Sequence, residues 1–407
     1  MRFIENVEKE EYKSFVDNHE KSHFLQSYEW GVFCQKAKGQ IPHYVGMHDD
    51  KETLVATALL LEKKTPLGYS YVYCPRGYLI DYKNKAHVKL FTNYLKEYMK
   101  KEKIIYIKID PDIKYQDINE DACKIEGGEN NYEIFEYLKS IGYKHKGFTK
   151  LYEGNQPRYT FRNNLQRPWE EVTSVFNKSF TKSIKRSEQY DLKIDEEIRL
   201  HDFYTLMEYN SKKDGFNARS EEYYQSFIDA MDKEKGVKFF NASIRPKELL
   251  TKIEVEIKKL ENDLQNNAKR SEDIKNQINR LKKDQEEFKK IEEDEVVICS
   301  LICTYTMNRA WSLFIGSNEL ANLTFAVSRV YYEAIKDAYH NGYEFFDLFG
   351  TTGDPKTTYK NLAHLHDFKR KFGGEYIEFI GEFDLISKPF LYKILPILLK
   401  IYRKIRG

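Results

Sequence analysis

Residues 69–112 read YSYVYCPRGYLIDYKNKAHVKLFTNYLKEYMKKEKIIYIKIDPD. The run Tyr69–Cys74 is dense in aromatic and β-branched residues and predicts a strand. Pro75-Arg76-Gly77 closes it with turn chemistry, and a helical stretch follows over Lys83–Lys101. A second strand, Ile104–Ile109, stops at Asp110-Pro111-Asp112. Strand, helix and strand with short connections form a parallel crossover, and such sheets take ligands at the C-terminal ends of their strands. The order recurs further on. Ala310–Ile315 ends at Gly316, a helix is predicted over Leu323–His340, and Tyr343–Leu348 ends at Gly350. Ligands are therefore expected near Asp110 and Asp347, in an α/β fold of two similar lobes.

The second lobe is interrupted. After Pro246, well placed at a first helical position, Leu250, Ile253, Ile257, Leu260 and Leu264 follow at spacings of 3, 4, 3, 4, the seam of a coiled coil. The polar stretch Asn266–Ser271 breaks the seam. It resumes through Ile274, Ile278, Leu281, Phe288 and Ile291, with Gln285 at one core position. This predicts an antiparallel helical hairpin about 30 Å long, inserted in globular sequence. A solvated strut with no ligand is the alternative reading. The expected division is 1–145 for the first lobe, 146–245 with 295–385 for the second, 246–294 for the arm, and 386–407 for a C-terminal basic amphipathic segment.

Composition narrows the function. The 407 residues are 41% hydrophobic and 32% charged, which suits globular folding rather than disorder. Lys+Arg at 66 against Asp+Glu at 64 leaves +2, which excludes a globally basic coat for nucleic acid. Five cysteines, an odd number without a C-x-x-C pair, form no disulfide framework and suggest a reducing compartment. The opening residues lack a signal peptide's apolar core, and no run of 18 apolar residues is present, so a cytoplasmic protein is expected.

Phosphate-binding and dinucleotide-binding glycine motifs are absent, as is a G-x-S-x-G elbow. His364 with His366 and Cys299 with Cys303 have no companion ligands at metal spacing, so neither metal nor cofactor is expected. Three basic clusters remain. Asp367–Glu375 places Lys369, Arg370 and Lys371 before Gly373-Gly374, a pattern able to meet an anion or a developing oxyanion. Arg219 lies at helical spacing from Tyr223 and Tyr224, suiting a phosphate or a sugar. Lys182, Lys185 and Arg186 form the third. Each has a bland reading as a solvated turn or helix face.

Across the chain, several stretches resemble the Fem-type aminoacyltransferases that build peptidoglycan interpeptide bridges. They are Phe24–Gly31, Pro75–Tyr78, Ile107–Pro111, Phe346–Gly350, Phe368–Gly374 and Gly381–Asp384, in the expected order. The resemblance implies two lobes of the GNAT acyltransferase fold, often with a coiled-coil hairpin in the second. That hairpin is similar to the arm by which seryl-tRNA synthetases hold tRNA. It also implies an aminoacyl-tRNA donor and, as acceptor, lipid II or its soluble UDP-linked muropeptide precursor. Residue by residue, Lys36 resembles the family's phosphate-binding lysine and Arg219 its partner, with Tyr223, Tyr224 and Trp30 lining the same pocket. Asp110 resembles the strand-end acid near the acceptor peptide, and Asp112 is the alternative for that place. Lys369, beside Phe368, resembles the lysine facing the donor's ester carbonyl. Where some relatives have a tyrosine, this chain has Phe314, which takes no assigned role.

The implied reaction is aminolysis of an activated ester. Asp110 holds the acceptor ammonium, and the base is Asp110, water or the substrate's own carboxylate. Lys369 meets the tetrahedral oxyanion, and Lys36 with Arg219 grips the acceptor diphosphate. The apolar segment Phe390–Tyr402, followed by Arg403, Lys404 and Arg406, suggests peripheral contact with the inner membrane leaflet, or alternatively a helix packed across the lobes. Two other functions stay open, an acyl-CoA-dependent N-acetyltransferase and a non-catalytic scaffold that uses the arm to bind a partner.

Overall fold

The computed structural model describes residues 1–66, 68–231, 236–266 and 271–406. Two sheets organise it. The first runs Arg2–Ile4, Ile41–His48, Leu54–Lys64, Ser70–Cys74, Ile104–Ile109, Phe383–Ile386, Tyr143–His145, with Leu79–Ile80 paired beside it on Leu54–Lys64. The second runs Lys193–Asp195, Val237–Ile244, Val296–Tyr305, Arg309–Ser317, Phe345–Asp347, Tyr159–Asn164, Glu375–Phe379, Lys114–Asp117. Among the described residues each contains one parallel pair. Ser70–Cys74 lies parallel to Ile104–Ile109, and Arg309–Ser317 parallel to Phe345–Asp347, as the repeated crossover predicts.

The crossover helix Lys85–Lys101 begins where the Asn84 side chain accepts a hydrogen bond from the His87 N–H. It buries Val88, Phe91, Leu95, Tyr98 and Met99, spaced to form one apolar face, and ends on Lys100 and Lys101. Its counterpart differs from expectation. The helix expected over Leu323–His340 starts three residues later, at Ala326–His340, and a short helix Glu319–Leu323 precedes it, the two separated where Phe325 adopts φ +60°. A left-handed phenylalanine cannot continue a right-handed helix.

Among the described residues the chain changes sheet four times, and two of the crossings bear on the site. After Asp112 it leaves the first sheet, and Lys114–Asp117 pairs with Glu375–Phe379 at the edge of the second. After Phe379 it returns, and Phe383–Ile386 pairs between Ile104–Ile109 and Tyr143–His145 in the first. These crossings sit beside Asp110 and Asp112. A third core joins the halves, bringing Phe24, Trp30 and Phe33 together with Phe203, Phe227, Phe239 and Trp311. Fully burying each such ring contributes roughly 1.5–3 kcal/mol.

The predicted hairpin consists of helices Pro246–Asn266 and Ser271–Phe288, set between the paired strands Val237–Ile244 and Val296–Tyr305. Lys282 reaches Glu261 and Gln285 reaches Glu254, an antiparallel register. Ile253, Ile257, Leu260, Ile278, Leu281 and Phe288 are buried. Gln285 is not the polar core residue. Asp284 is buried in that turn, accepting a hydrogen bond from the Tyr190 hydroxyl at 2.6 Å. Tyr190 and Phe288 merge the hairpin's base with the core of the second sheet. The polar connection at 267–270 lies outside the described residues, as do the side chains of Arg403, Lys404 and Arg406. No described helix is long and apolar enough to cross a membrane.

Candidate functional site

The site is built from the two strand ends that the chain pattern singles out. Asp110 follows Ile104–Ile109 directly and is 3% exposed. Its Oδ2 accepts a hydrogen bond from the Tyr73 hydroxyl at 2.8 Å, and Oδ1 accepts from the Arg76 backbone N–H at 2.7 Å. Burial pushes its pKa up to about 6, while Arg76 and the two hydrogen bonds pull the other way. Replacing Tyr73 with phenylalanine removes one stabiliser of the anion. The acid limb of the kcat/KM profile is then expected to move to higher pH. An unmoved limb would mean that Asp110 is not the group titrating there.

The Arg76 turn is held from the N-terminal motif. The buried Gln26 amide donates to the Pro75 carbonyl at 2.5 Å and accepts from the Leu59 N–H at 3.0 Å. Next to it, the Ser27 side chain caps helix Tyr28–Lys38 by accepting from the Trp30 N–H at 3.0 Å. Arg76 itself sits at φ +51°, in left-handed backbone that side chains rarely adopt. Its guanidinium lies 4.1 Å above the Phe379 ring and donates to the Pro157 carbonyl at 2.7 Å.

Pro157 touches the other strand end. A Cβ at Gly350 would lie 2.1 Å from the Pro157 ring, so only glycine fits there. The Gly350 carbonyl accepts a hydrogen bond from the Lys369 ammonium at 2.7 Å, and the Phe349 carbonyl accepts from it at 3.0 Å. Asp110, Arg76, Pro157, Gly350 and Lys369 are thus joined by consecutive contacts between the sheets. Lys369 is 7% exposed, and burial brings its pKa down to about 7, opposed by the charge of Asp347. Phe368 turns the other way and packs on Tyr331 and Phe372, with ring centroids 5.5 and 5.2 Å away.

Asp112 belongs to a different arrangement. Both its oxygens accept from Arg162, at 3.0 and 2.6 Å, and the Arg162 Nε–H donates to Asp347 at 2.6 Å. Burial works against the Asp112 anion, but the guanidinium wins and holds its carboxyl well below the usual range. One arginine of the second sheet therefore ties the strand end of the first to the strand end of the second. His23 stands alongside, its ring 4.7 Å from Trp311, and burial holds it neutral despite Asp112.

The proposed phosphate-binding residues separate. Trp30, Phe33 and Tyr223 pack in series, with Trp30–Phe33 at 5.0 Å and Phe33–Tyr223 at 5.1 Å; Trp30 and Phe33 are buried, and half-buried Tyr223 brings the row to the surface. The Arg219 guanidinium lies 5.4 Å from the Tyr223 ring, so these residues do come together. The lysine over that row is Lys38, whose ammonium stands 4.4 Å above Trp30 and 5.1 Å from Phe33. Lys36 makes an exposed ion pair with Asp229 at 3.1 Å. Tyr224 is buried against Phe203 and Phe314, so the Phe314 position serves packing. Phe24 connects this row to Lys369, lying 5.4 Å from Trp30 and 6.2 Å from Phe349, whose carbonyl the lysine holds.

Sequence reasoning missed Tyr73, Arg76 and Arg162 as site residues. Arg162 left a signal, as a lone cation within the strand Tyr159–Asn164 whose neighbours Phe161 and Asn163 are buried. No group of metal-ligating side chains is found among the described residues.

Known proteins resemble the whole chain. It is 26% identical to the lipid II:glycine glycyltransferase of Staphylococcus epidermidis, with 99% of each chain covered. It is 28% identical to the enzyme of the same name from Staphylococcus haemolyticus, again with 99% of each covered. The crystal structure of FemX superposes with a TM-score of 0.78 at 24% identity, covering 97% of this chain and 99% of that one, and shares its fold. The FemAB family pattern matches residues 7–400, and the chain belongs to the FemAB family.

Proposed function

We propose that this protein transfers an amino acid from aminoacyl-tRNA to the stem-peptide amine of a peptidoglycan precursor, with lipid II as acceptor. The observation that carries the reading is the contact path from Asp110 to Lys369, which brings a strand-end acid and a buried amine to one junction. Relatives named as lipid II:glycine glycyltransferases support the acceptor. A lysine amine with a pKa near 10.4 reaches the site protonated, and Asp110, above its pKa of about 6, is an anion able to hold it. Loss of that proton to Asp110, water or the substrate's own carboxylate frees the amine to attack the ester carbonyl. The carbonyl oxygen takes negative charge and Lys369 meets it; collapse breaks the ester C–O bond, and the proton given up by the attacking nitrogen passes to the departing ribose oxygen, which leaves as a hydroxyl. Trp30, Arg219 and Tyr223, with Lys36 or Lys38, grip the diphosphate. Phe368 supports Lys369 from the packed side, and Asp112 sets the wall of the acceptor groove.

The two sheets fit GNAT-like lobes, the helical hairpin fits a coiled-coil arm for tRNA, and the C-terminal helix fits contact with the inner leaflet. An acyl-CoA reading fits less well. The Arg370–Gly374 turn is packed on Val175, whose carbonyl would lie 1.9 Å from a Cβ at Gly373, and on Arg162. Purified protein, lipid II in detergent and total charged tRNA are expected to give a lipid II mass gain that ribonuclease abolishes. The size of the gain identifies the amino acid. No gain with lipid II or with the UDP-linked precursor would sink the proposal and leave the scaffold reading.

A further inference from the structure

A cleft of about 890 Å³ lies between the helix Pro389–Arg406 and the first sheet. Its aliphatic wall is Leu395, Pro396 and Leu399. Its sheet wall is Tyr106, Lys108, Lys146 and Asp384. That wall is balanced in charge, since Lys108 pairs with Glu382 at 2.6 Å and Asp384 at 3.2 Å, and Lys146 pairs with Asp384 at 3.4 Å. Two further lysines lining the cleft, Lys393 and Lys400, are exposed, and no ion pair of either is found among the described residues.

The helix sequence contains five basic residues and no acidic one. Its exposed side carries Phe390 at 74% and Ile397 at 61% exposure, alternating with Lys393 and Lys400 at steps of three and four. Rings and aliphatic groups interleaved with lysines at helical spacing match the boundary between acyl chains and anionic headgroups. The cleft opens beside that stripe and shares its lysines.

We propose that the cleft binds one anionic phospholipid, with an acyl chain against Leu395, Pro396 and Leu399 and the phosphate at Lys393 and Lys400. The inference rests on the reading of this helix as the membrane-facing element and adds a discrete lipid site to it. The site also adjoins the chemistry. Tyr106, Lys108 and Asp110 alternate along one side of the strand, while Ile105, Ile107 and Ile109 are buried on the other. Successive residues on one side stand about 7 Å apart, so the lipid seats the protein on the bilayer one such step from Asp110.

Full-length protein is incubated with phosphatidylglycerol in detergent and examined by native mass spectrometry, with flotation on phosphatidylglycerol vesicles in parallel. The wild type is expected to retain a single phosphatidylglycerol. Leu399→Trp, which sets a bulky ring into the aliphatic wall where the acyl chain would lie, reduces that adduct about tenfold or more while the protein still floats. Lys393→Glu with Lys400→Glu, both on the exposed side and harmless to folding, weakens adduct and flotation about thirtyfold or more. An adduct that survives Leu399→Trp, equal retention of phosphatidylcholine, or occupation by a polyprenyl diphosphate in place of phospholipid would overturn the proposal. Wild-type transfer to the soluble UDP-linked precursor is followed separately. Its absence strikes the functional reading alone and leaves the lipid result standing.

Discussion

Lys369→Met is expected to lower kcat for amino-acid transfer about 100–1,000-fold with little change in KM, the effect of removing one oxyanion donor. The size and the sign with pH both follow from burial. Lys369 is enclosed with two backbone carbonyls as its partners, and its pKa falls to about 7. Only the ammonium form can donate to an oxyanion while retaining a full charge, so the lysine's advantage fades as pH rises through 7. The ratio of wild-type to Lys369→Met rates removes the acceptor amine's own titration and is expected to shrink above that pH. Lys369→Arg stays charged, so the ratio of Lys369→Arg to Lys369→Met rates is expected to be smaller than the wild-type ratio below pH 7 and to show no such decline. Stability moves the opposite way. The folded pKa lies below the unfolded value of about 10.4, so the unfolded chain binds more protons between pH 7 and 10. The cost of burying the ammonium is therefore full below pH 7 and disappears as pH rises toward 10. Lys369→Met should raise Tm most at pH 6 and least at pH 10. Unchanged kcat at saturating substrate would remove Lys369 from the chemistry, whatever the Tm.

Much of this arrangement was legible in the chain because local patterning and tertiary packing agree. The apolar positions of Lys85–Lys101 are those the helix buries, and both parallel strand pairs fall where the crossover pattern predicts. What escaped was non-local. No pattern near residue 114 or 383 reveals that those strands pair with the opposite sheet, since an edge strand carries little information about its partner. The hairpin seam slipped by one residue at Asp284 because Tyr190, far away in sequence, supplies the hydrogen bond that makes a buried carboxyl tolerable. Lys36 and Lys38 lie on one helix two residues apart, and the rings of Trp30 and Phe33 decide which lies over the aromatic row. The sequence favours Asp110 as the strand-end acid and keeps Asp112 as the alternative. Their partners separate them, since a tyrosine and a main-chain N–H leave Asp110 near pH 6 while a bidentate guanidinium fixes Asp112 as an anion.

That guanidinium carries the second large effect. Arg162→Met is expected to destabilise the protein by about 3–5 kcal/mol at pH 8, because it leaves Asp112 and Asp347 buried without the guanidinium that pairs with both. The two carboxylates belong to different sheets, so the same change loosens the junction on which Asp110 and Lys369 meet. The pH dependence distinguishes loss of charge pairing from loss of packing. In the native protein Asp112 lies well below its unfolded pKa of about 3.9. Its pairing therefore contributes stability above that value and loses it only as pH falls toward the native one. Without Arg162, burial is the largest influence left on the same carboxyl, against the charge of Arg76, and is expected to raise its pKa, so mild acid protonates it and relieves the variant. The urea midpoints of wild type and Arg162→Met should differ most near pH 8 and converge as pH falls through about 5. Arg162→Lys restores one charge without the fork and should fall between them. A constant gap across that range would assign the loss to packing against Phe345 and Phe379, over which the guanidinium lies at 4.6 and 5.2 Å, rather than to the carboxylates.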